Sequence, residues 1–258
     1  MSDNLTGSKN IELHPKYLWF LILAYSMIVI LANWYAPQFI DISSVDINAG
    51  MLMSTPAFLL SGLITEVYGY KYARRAIWCG FLFNVLLIIY GQVVIYMPSP
   101  DYPTNNALFN ALLATNIKFF FASSISYLCS EPLNSYLIAK LKIKMPNRYI
   151  VIRFALSIIA AASIGNIIFS FIGFYGKMSS TNLISFMITM LFIKGCILLI
   201  GLPVFIYISN KLKKFEELDI YDRETNFNIF SFKVNYSAMD NEFGNHEMSA
   251  SKPALPLS

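Results

Sequence analysis

The sequence is poor in charged residues and in the residue types that build catalytic or metal centres. Charged residues make up 13% of the 258 residues and hydrophobic residues 56%, whereas a typical soluble domain carries about a quarter charged residues. Two histidines, His14 and His246, lie outside every long apolar block, which argues against histidine catalysis within a membrane and against most metal sites. The cysteines lie singly in separate apolar blocks (Cys79, Cys129 and Cys196), so their spacing indicates neither a disulfide framework nor a zinc site.

Complete nucleotide-binding and hydrolase motifs are also absent from the sequence. Gly176-Lys177 resembles the end of a phosphate-binding loop, but Phe171 stands where the first glycine is needed and Met178 replaces Ser or Thr. No GxSxG, HExxH or paired-aspartate pattern lies in an apolar block, although composition alone leaves a Ser/Lys dyad open. We therefore expect no ATP hydrolysis, no enzyme activity and no cofactor. Because Lys and Arg lie in short connections and not in a stripe, we also expect no nucleic-acid partner.

Six apolar blocks have the length that crosses a bilayer, about 20 residues at 1.5 Å per residue. They cover residues 17–36, 49–69, 76–97, 113–138, 150–175 and 183–208. The first block lacks a small-residue cleavage site, so we expect a retained span rather than a removed signal peptide. The predicted fold class is an all-α integral membrane protein with six transmembrane helices.

Lys and Arg are concentrated on one side of the predicted membrane. The connections after spans two and four and the segment after span six are basic: Lys71, Arg74 and Arg75; Lys140, Lys142, Lys144 and Arg148; Lys211, Lys213 and Lys214. The remaining connections contain Lys177 as their one basic residue, beside Asp41, Asp46 and Asp101. The positive-inside rule then predicts that both termini are cytoplasmic.

The chain is predicted to consist of a membrane domain with two flanking segments. A cytoplasmic N-terminal arm covers residues 1–16, the membrane domain covers 17–210, and a cytoplasmic tail covers 211–258. The tail is polar and acidic and ends in Ser, Pro and Ala, a composition typical of disorder. Its residues 226–236 alternate apolar and polar side chains, which leaves a short strand or a docking segment open. We expect the tail to be dispensable for function.

Lys194 lies close to the middle of the sixth apolar block. A cation at bilayer depth is costly, so by default it marks a polar cavity or a paired site inside a helix bundle. Glu131 of span four is the main candidate partner, although it lies about six positions, or about 9 Å, from the centre of its own span. We hypothesise a Glu131–Lys194 pair. The alternative is a lysine that bonds neighbouring carbonyls and only holds helices together.

Span four is the most polar of the six blocks. Ser124, Tyr127, Glu131 and Asn134 recur at spacings of three and four, so they share one helical face. Pro132 cannot donate its backbone N–H, and broken helices beside a central site are common in transporters. The alternative is a structural kink with serines packed against neighbouring helices.

Glu66 lies near the cytoplasmic end of span two. It is a candidate for substrate binding or, like Glu131, for proton uptake if transport is proton-coupled. The alternative is that Glu66 pairs with Arg74 or Arg75 at the membrane interface. Arg153 lies near the end of span five, where a side chain that extends to the interface would explain it. A direct role in the site is the alternative.

Asn134 and Asn166 carry amide groups inside predicted spans four and five, where they can face neighbouring helices. Such amides could pair with the donors and acceptors of a planar ring while aromatic side chains stack on its faces. The alternative is structural, because polar and small side chains also hold membrane helices together.

Several segments together match one known family in order and spacing. Residues 63–75, LITEVYGYKYARR, resemble the end of the second span in the queuosine precursor transporter family, also called the vitamin uptake or VUT family. Residues 130–137, SEPLNSYL, resemble its fourth span, and residues 166–176 resemble the end of its fifth. Lys194 stands where the family tends to carry a lysine in the last span. The resemblance covers residues 17–210.

The resemblance implies a six-span carrier in the bacterial inner membrane. Its substrate would be a purine-like base, 7-cyano- or 7-aminomethyl-7-deazaguanine, imported as a precursor of queuosine in tRNA. The lipid bilayer would be its second partner, and a homo-oligomer is compatible with this interpretation. We expect transport to be secondary, with the substrate held by Glu66, Glu131, Asn134, Asn166 and Lys194.

Four positions of this chain depart from the pattern of the family. The family usually has Asp where this chain has Gly62, Asn134 and Gly165, and Gln where Glu131 stands. Compared with the family, the chain therefore lacks three carboxylates along the predicted path and has one additional carboxylate, Glu131. This difference would indicate a different substrate or a different coupling mode.

Two other functions are compatible with six spans. The substrate-binding subunit of an energy-coupling-factor importer is also six-span and needs a separate ATPase. A membrane scaffold protein would depend on its tail, so deletion of residues 215–258 would abolish its function while Lys194→Met would be silent. For a carrier we expect the reverse: the deletion would be tolerated and Lys194→Met would abolish function.

Overall fold

Six helices and one short hairpin form the computed structural model, which describes residues 15–42, 45–100, 104–145, 149–174, 176, 179–236 and 238–243. In chain order the elements are α1 (Leu18–Trp34), β1 (Phe39–Ile42), β2 (Val45–Asn48), α2 (Ala49–Tyr68), α3 (Tyr70–Ile95), α4 (Asn106–Lys144), α5 (Ile150–Phe174) and α6 (Ser180–Glu216). A 3-10 turn, Ala238–Asp240, follows them. Each predicted apolar block overlaps one helix, and α3, α4 and α6 extend beyond their blocks at one end or at both ends.

Five helices, α2 to α6, are long and apolar enough to cross a membrane, and α1 is a shorter apolar helix of 17 residues. Large apolar side chains cover the outward faces: Leu82 and Leu86 of α3 and Leu199 and Ile200 of α6 are all more than half exposed. Contiguous apolar surface of this kind is rare on a soluble monomer and indicates contact with lipid. The predicted all-α membrane fold is therefore confirmed, with the β1–β2 hairpin as an addition.

α2 is the central helix of the bundle. It packs against α1, α3, α4 and α6, and every side chain from Ala57 to Tyr68 is buried. Proline does not break the helices, because α2 continues across Pro56, α4 across Pro132 and α6 across Pro203. Neighbouring helices and hydroxyl groups can re-satisfy the backbone that a proline leaves unpaired. The broken span that Pro132 suggested is therefore not formed.

The β1–β2 hairpin joins α1 to α2 and was not predicted. Its strands are antiparallel, with Phe39 opposite Asn48. Ile47 is buried and packs against Met51 of α2 and Met190 of α6. Strands of four residues are too short for their alternation to stand out from a loop in the sequence. We call this end of the bundle the hairpin end.

The opposite end of the bundle carries the α2–α3 connection and the C-terminal ends of α4 and α6, and we call it the basic end. Residues 217–243, which we call the C-terminal segment, pack over it. The Ile220 N–H donates to the Val67 carbonyl of α2 at 3.2 Å, and Tyr236 is buried. The prediction of disorder from residue 211 is therefore wrong as far as residue 243. The N-terminal arm up to residue 14 and the tail after 243 lie outside the described residues.

The α2–α3 connection provides the docking position for this segment. Gly69 has φ +85°, a backbone conformation that glycine adopts readily, and any Cβ there would collide with the Tyr236 hydroxyl. Asp222 accepts hydrogen bonds from the Tyr70 N–H at 2.8 Å and the Tyr236 hydroxyl at 2.7 Å. A carboxylate is favoured there because it lies at the N-terminus of α3. The sequence left two structures open for residues 226–236, a short strand or a docking segment. All of these residues are described, and they form a docking segment without a strand.

Candidate functional site

A cavity of about 110 Å³ lies inside the bundle between α1, α2, α4, α5 and α6. A single water needs about 10–15 Å³ of such space, so the cavity can hold several waters or a small ligand. Toward the hairpin end it is lined by Asn48, Met51 and Phe186, and toward the basic end by Glu131 and Lys194. The cavity is thus apolar at one end and charged at the other.

Glu131 contributes a carboxylate to the cavity from α4. It is 2% exposed, and its Oε2 atom has no hydrogen-bond partner among the described residues. The hydroxyls of Tyr25 on α1 and Ser61 on α2 face the carboxylate. A buried polar atom without a partner costs free energy. The Oε2 atom of Glu66 also has no partner among the described residues, but only Glu131 of the two lines the cavity, where a ligand could reach its oxygen.

Lys194 faces the same cavity from α6. Glu131 and Lys194 interact electrostatically. Among the described residues, however, the Lys194 ammonium group forms no ion pair within 4 Å and no hydrogen bond. The hypothesised direct pair is therefore not formed, and neither is the alternative in which Lys194 bonds neighbouring carbonyls. Opposite charges instead stand apart on walls of one cavity, where a ligand with both donors and acceptors could bridge them.

Asn166 completes this group from α5. Its Nδ2 atom donates to the Met187 carbonyl of α6 at 2.7 Å, and the Ser170 hydroxyl donates to its Oδ1 atom at 3.5 Å. The amide therefore both joins two helices and lines the cavity. Three α4 serines lie on the same lining: Ser123, Ser126 and Ser130.

Gly165 allows α4 and α5 to approach each other closely beside the cavity. The Ser126 hydroxyl donates to the Gly165 carbonyl at 2.7 Å. A Cβ at position 165 would lie 3.0 Å from the side chain of Ser130. Any side chain at this position would therefore press on the serines of α4.

Two tyrosine hydroxyls form a chain next to Glu131. The hydroxyls of Tyr25 and Tyr127 are 2.8 Å apart, and Tyr127 donates to the Ile77 carbonyl of α3 at 2.8 Å. Since the single hydrogen of Tyr127 is used by that carbonyl, Tyr25 can donate either to Tyr127 or to Glu131, but not to both. The pair therefore offers Glu131 a donor that can change partner.

Asn134 does not line the cavity, although the sequence analysis placed it in the site. It is fully buried, and its Nδ2 atom donates to the Phe58 carbonyl at 3.0 Å and to the Ser61 hydroxyl at 3.1 Å. Asn134 thus joins α4 to α2 and contacts the surroundings of the cavity indirectly, through Phe58, which lines it, and through Ser61, which faces Glu131.

Glu66 also lies away from the cavity, in a buried group of charges at the basic end. Its Oε1 atom is 2.8 Å from Arg153 of α5 and 2.7 Å from Lys213 of α6. Glu66 and Arg153 are both fully buried. Glu66 therefore pairs with neither Arg74 nor Arg75 among the described ion pairs, and the prediction that Arg153 extends to the interface is wrong.

Asp219 of the C-terminal segment completes this group of charges. Its Oδ1 atom lies 2.6 Å from Lys142 of α4 and 2.8 Å from Lys213. Burial alone would raise the pKa of Asp219, but the two ammonium groups outweigh burial and hold that pKa below its usual value. We call the five residues the ion cluster: Glu66, Lys142, Arg153, Lys213 and Asp219. It joins α2, α4, α5 and α6 to the C-terminal segment beneath the charged end of the cavity.

Phenylalanine rings cover the hairpin end. The Phe174 ring lies 5.8 Å from Phe39, 5.5 Å from Phe119 and 5.1 Å from Phe186. We call these four residues the phenylalanine cluster. Because Phe186 also lines the cavity, the cavity lies between this cluster and the ion cluster.

Several residues of this arrangement were missed by the sequence analysis. Tyr25 lies in an apolar run with no polar neighbours at helical spacing, so no local pattern marks it. The ion cluster was missed because Glu66 and Lys213 are 147 positions apart in the chain. One signal was present, since the acidic tail follows a basic helix end, and opposite charges there could have been paired.

The fold and the cavity define a helical membrane protein with a charged internal site. The family model described as "Putative vitamin uptake transporter" matches residues 48–208, which is more than half of the chain. The chain therefore belongs to this family, as the sequence resemblance predicted. No curated protein and no solved structure matches the chain.

The four departures from the family pattern fall at different places in the structure. Glu131 and Gly165 lie on the cavity. Gly62 does not, because it packs against Ile138 and Phe154, and a Cβ there would lie 2.9 Å from Ile138. Asn134 is likewise a contact between helices. Only two of the four positions can therefore act directly on a ligand in this cavity.

Proposed function

We propose that this chain is a secondary transporter of the bacterial inner membrane that imports a small planar heterocycle. The substrate is a queuosine precursor, 7-cyano- or 7-aminomethyl-7-deazaguanine. Membership of a vitamin-uptake family supports import of a small molecule. The observation that carries the proposal is the cavity in which Glu131, Asn166 and Lys194 meet from three different helices.

The chemistry of the cavity is suited to a purine-like base. A guanine-type ring presents N–H donors on one edge and a carbonyl acceptor on another, so the donors would bind the free oxygen of Glu131 and the carbonyl would accept from Lys194. Asn166 can both donate and accept. Phe58 and Phe169 line the same cavity and supply apolar faces for the ring.

Transport requires access from each side of the membrane in turn. In the proposed topology all six helices cross the membrane, and the basic end faces the cytoplasm because Lys and Arg are concentrated there. The phenylalanine cluster is the outer closure and the ion cluster the inner one. Release of substrate to the cytoplasm then requires Asp219 to separate from Lys142 and Lys213.

Proton coupling, if it drives import, is assigned to Glu131 rather than Glu66. The Oε1 atom of the Glu66 carboxylate already has two cationic partners, Arg153 and Lys213. Glu131, unlike Glu66, lines the cavity, where it faces hydroxyls from α1 and α2 together with Lys194 from α6 and forms no ion pair among the described residues. Glu131→Gln should therefore abolish the dependence of uptake on a proton gradient, whereas unchanged sensitivity to a protonophore would remove Glu131 from this role.

The test of substrate and function is the queuosine content of tRNA in a bacterial host without precursor synthesis and without its own carrier. Cells expressing this chain and fed nanomolar 7-deazaguanine precursor should recover queuosine, and cells expressing Lys194→Met at the same membrane level should not. Absence of recovery with the unmodified chain in the membrane would contradict the proposed substrate.

A further inference from the structure

The C-terminal segment places two phenylalanines on the outward side of α3. The rings of Phe230 and Phe232 lie 5.9 and 6.2 Å from the ring of Trp78, whose indole N–H donates to the Ile229 carbonyl at 2.9 Å. Phe230 is 69% exposed and Phe232 59%. We call Trp78, Phe230 and Phe232 the Trp78 patch. The patch is held by a hydrogen bond and ring contacts, yet it presents most of its phenylalanine surface outward.

The depth of the patch matches the border of the bilayer. Trp78 follows the first residue of α3, Tyr70, by about 12 Å along the helix axis at 1.5 Å per residue. Its position is only two residues inside the apolar block 76–97. Leu82 and Leu86, one and two turns farther along, continue the same exposed stripe toward the membrane centre. The patch therefore extends the lipid-facing side of α3 to the level where amphipathic aromatic side chains prefer to lie.

Three basic residues lie near the patch, on the first turns of α3 and on the C-terminal segment. Arg75 is exposed and donates to the Phe232 carbonyl at 3.3 Å. Lys71 donates to the Asn235 carbonyl, and Lys233 is exposed on the segment itself. Within the part of the chain that the structure describes, none of the three forms an ion pair with a carboxylate. Their positive charge is therefore not neutralised by a carboxylate of the described residues. Arg75 and Lys233 are exposed to an external anion, whereas Lys71 is half-buried and lies over the Tyr236 ring, 4.1 Å from its centroid.

We propose that the Trp78 patch and these three cations bind the headgroup region of anionic phospholipids, so that residues 226–236 anchor the C-terminal segment to the bilayer. Aromatic side chains and unpaired basic residues at headgroup depth are the combination that anionic membranes attract. A soluble anion would use the cations but leave the phenylalanines in water. Lipid is the occupant that accounts for both features, because the patch is continuous with the lipid-facing stripe.

The test uses the full chain with Trp78 as its single tryptophan, obtained by Trp19→Phe and Trp34→Phe, in phosphatidylcholine nanodiscs containing a minority of phosphatidylglycerol. One of the two lipids carries bromine in its acyl chains, close to the headgroup. At equal mole fraction, brominated phosphatidylglycerol should quench Trp78 fluorescence several-fold more than brominated phosphatidylcholine. Arg75→Gln with Lys233→Gln should remove this difference. The matched pair Lys211→Gln with Lys214→Gln, exposed at the end of α6, should retain it.

Equal quenching by the two lipids in the single-tryptophan protein would overturn the proposal. Quenching by neither lipid would also overturn it, because a second protein surface would then cover the patch. If the double charge variant does not assemble, Lys233→Gln alone should reduce the preference in the same direction. Phe230→Leu with Phe232→Leu keeps all three cations and should weaken, but not abolish, the preference for phosphatidylglycerol.

Discussion

Lys194 and Glu131 face one cavity without forming an ion pair, and the proposed function gives both a part in binding the substrate. Lys194→Met replaces the lysine by an unbranched apolar side chain of similar length and removes the ammonium group. Uptake should therefore fall to background. The matched control is Lys214→Met, which removes a charge from the same helix at an exposed position. Initial uptake rates at equal membrane levels provide the measurement. A Lys194→Met protein that transports at the rate of the control would show that the cavity charge has no part in transport.

Gly165 provides a test of packing at the same scale. Gly165→Ala would bring a Cβ to 3.0 Å from Ser130, and overpacking of this kind costs about 1–3 kcal/mol. Gly195→Ala is the control, because a Cβ there has no neighbour within 4 Å, and Ala is the better helix former by about 1 kcal/mol. Thermal unfolding in detergent should therefore show a lowered midpoint for the first variant and an unchanged or raised midpoint for the second. Equal midpoints would mean that α4 and α5 are not packed this closely.

At the scale of single elements, the C-terminal segment is held to the bundle by Asp219. Asp219→Asn would leave Lys142 without its carboxylate partner, and removal of one member of a buried ion pair costs about 3 kcal/mol or more. Glu224→Gln, exposed in the same segment, is the control and should change the free energy of unfolding little. Unfolding of the two variants under identical conditions would measure the difference. Similar stability of both variants would contradict the proposed attachment.

The same pair gives a prediction for pH, because the pKa of Asp219 is lower in the folded protein than its usual value. A carboxyl with a lowered folded pKa stabilises the protein fully above its unfolded pKa, about 3.9 for Asp. That contribution disappears as the pH falls through the folded pKa. The stability difference between the unmodified protein and Asp219→Asn should therefore be constant near neutral pH and shrink below about pH 4. A difference independent of pH would mean that the carboxylate charge is not responsible.

The helices could be predicted closely because the bilayer limits what an apolar run can be. The predicted block 150–175 corresponds to α5, Ile150–Phe174, and the predicted block 49–69 corresponds to α2, Ala49–Tyr68. An apolar run of about 20 residues has one stable structure in lipid, a helix that bonds its own backbone. The hairpin and the C-terminal segment lie outside the long apolar helices. Their structure depends on long-range contacts, which local patterns do not encode.

The site could be predicted only in part for a related reason. Glu131, Asn166 and Lys194 line the cavity, as expected of polar groups in apolar runs that face a bundle interior. Glu66 has the same sequence signature but bonds Lys213, which lies 147 positions away. Whether an intramembrane polar side chain faces a cavity or another charge depends on helix packing, and the sequence contains no direct record of that packing.

At the scale of the whole molecule, the tail can no longer be treated as one dispensable unit. Truncation after residue 243 removes only chain beyond the C-terminal segment and should leave transport intact. Deletion from residue 217 removes Asp219 and Asp222 and should abolish both stability and transport. Transport and thermal unfolding of the two truncated proteins provide the measurements. Full transport without residues 217–243 would contradict the structural role of the segment.

Because the C-terminal segment packs on the bundle, deletion of the tail does not distinguish a scaffold protein from a carrier. Loss of function after deletion of residues 215–258 no longer identifies a scaffold, because the deletion removes part of the fold. Lys194→Met remains discriminating, since a scaffold does not need a charge in an internal cavity. A binding subunit that depends on an ATPase is distinguished by whether the purified chain transports alone.

The most direct measurement is therefore uptake of radiolabelled 7-aminomethyl-7-deazaguanine into proteoliposomes that contain the purified chain as their only protein. We predict saturable uptake that is lost in Lys194→Met and retained in Lys214→Met. Uptake that requires an added ATPase would contradict secondary transport. Absence of saturable uptake, or uptake that Lys194→Met leaves unchanged, would contradict the assignment of this cavity as the path of the substrate.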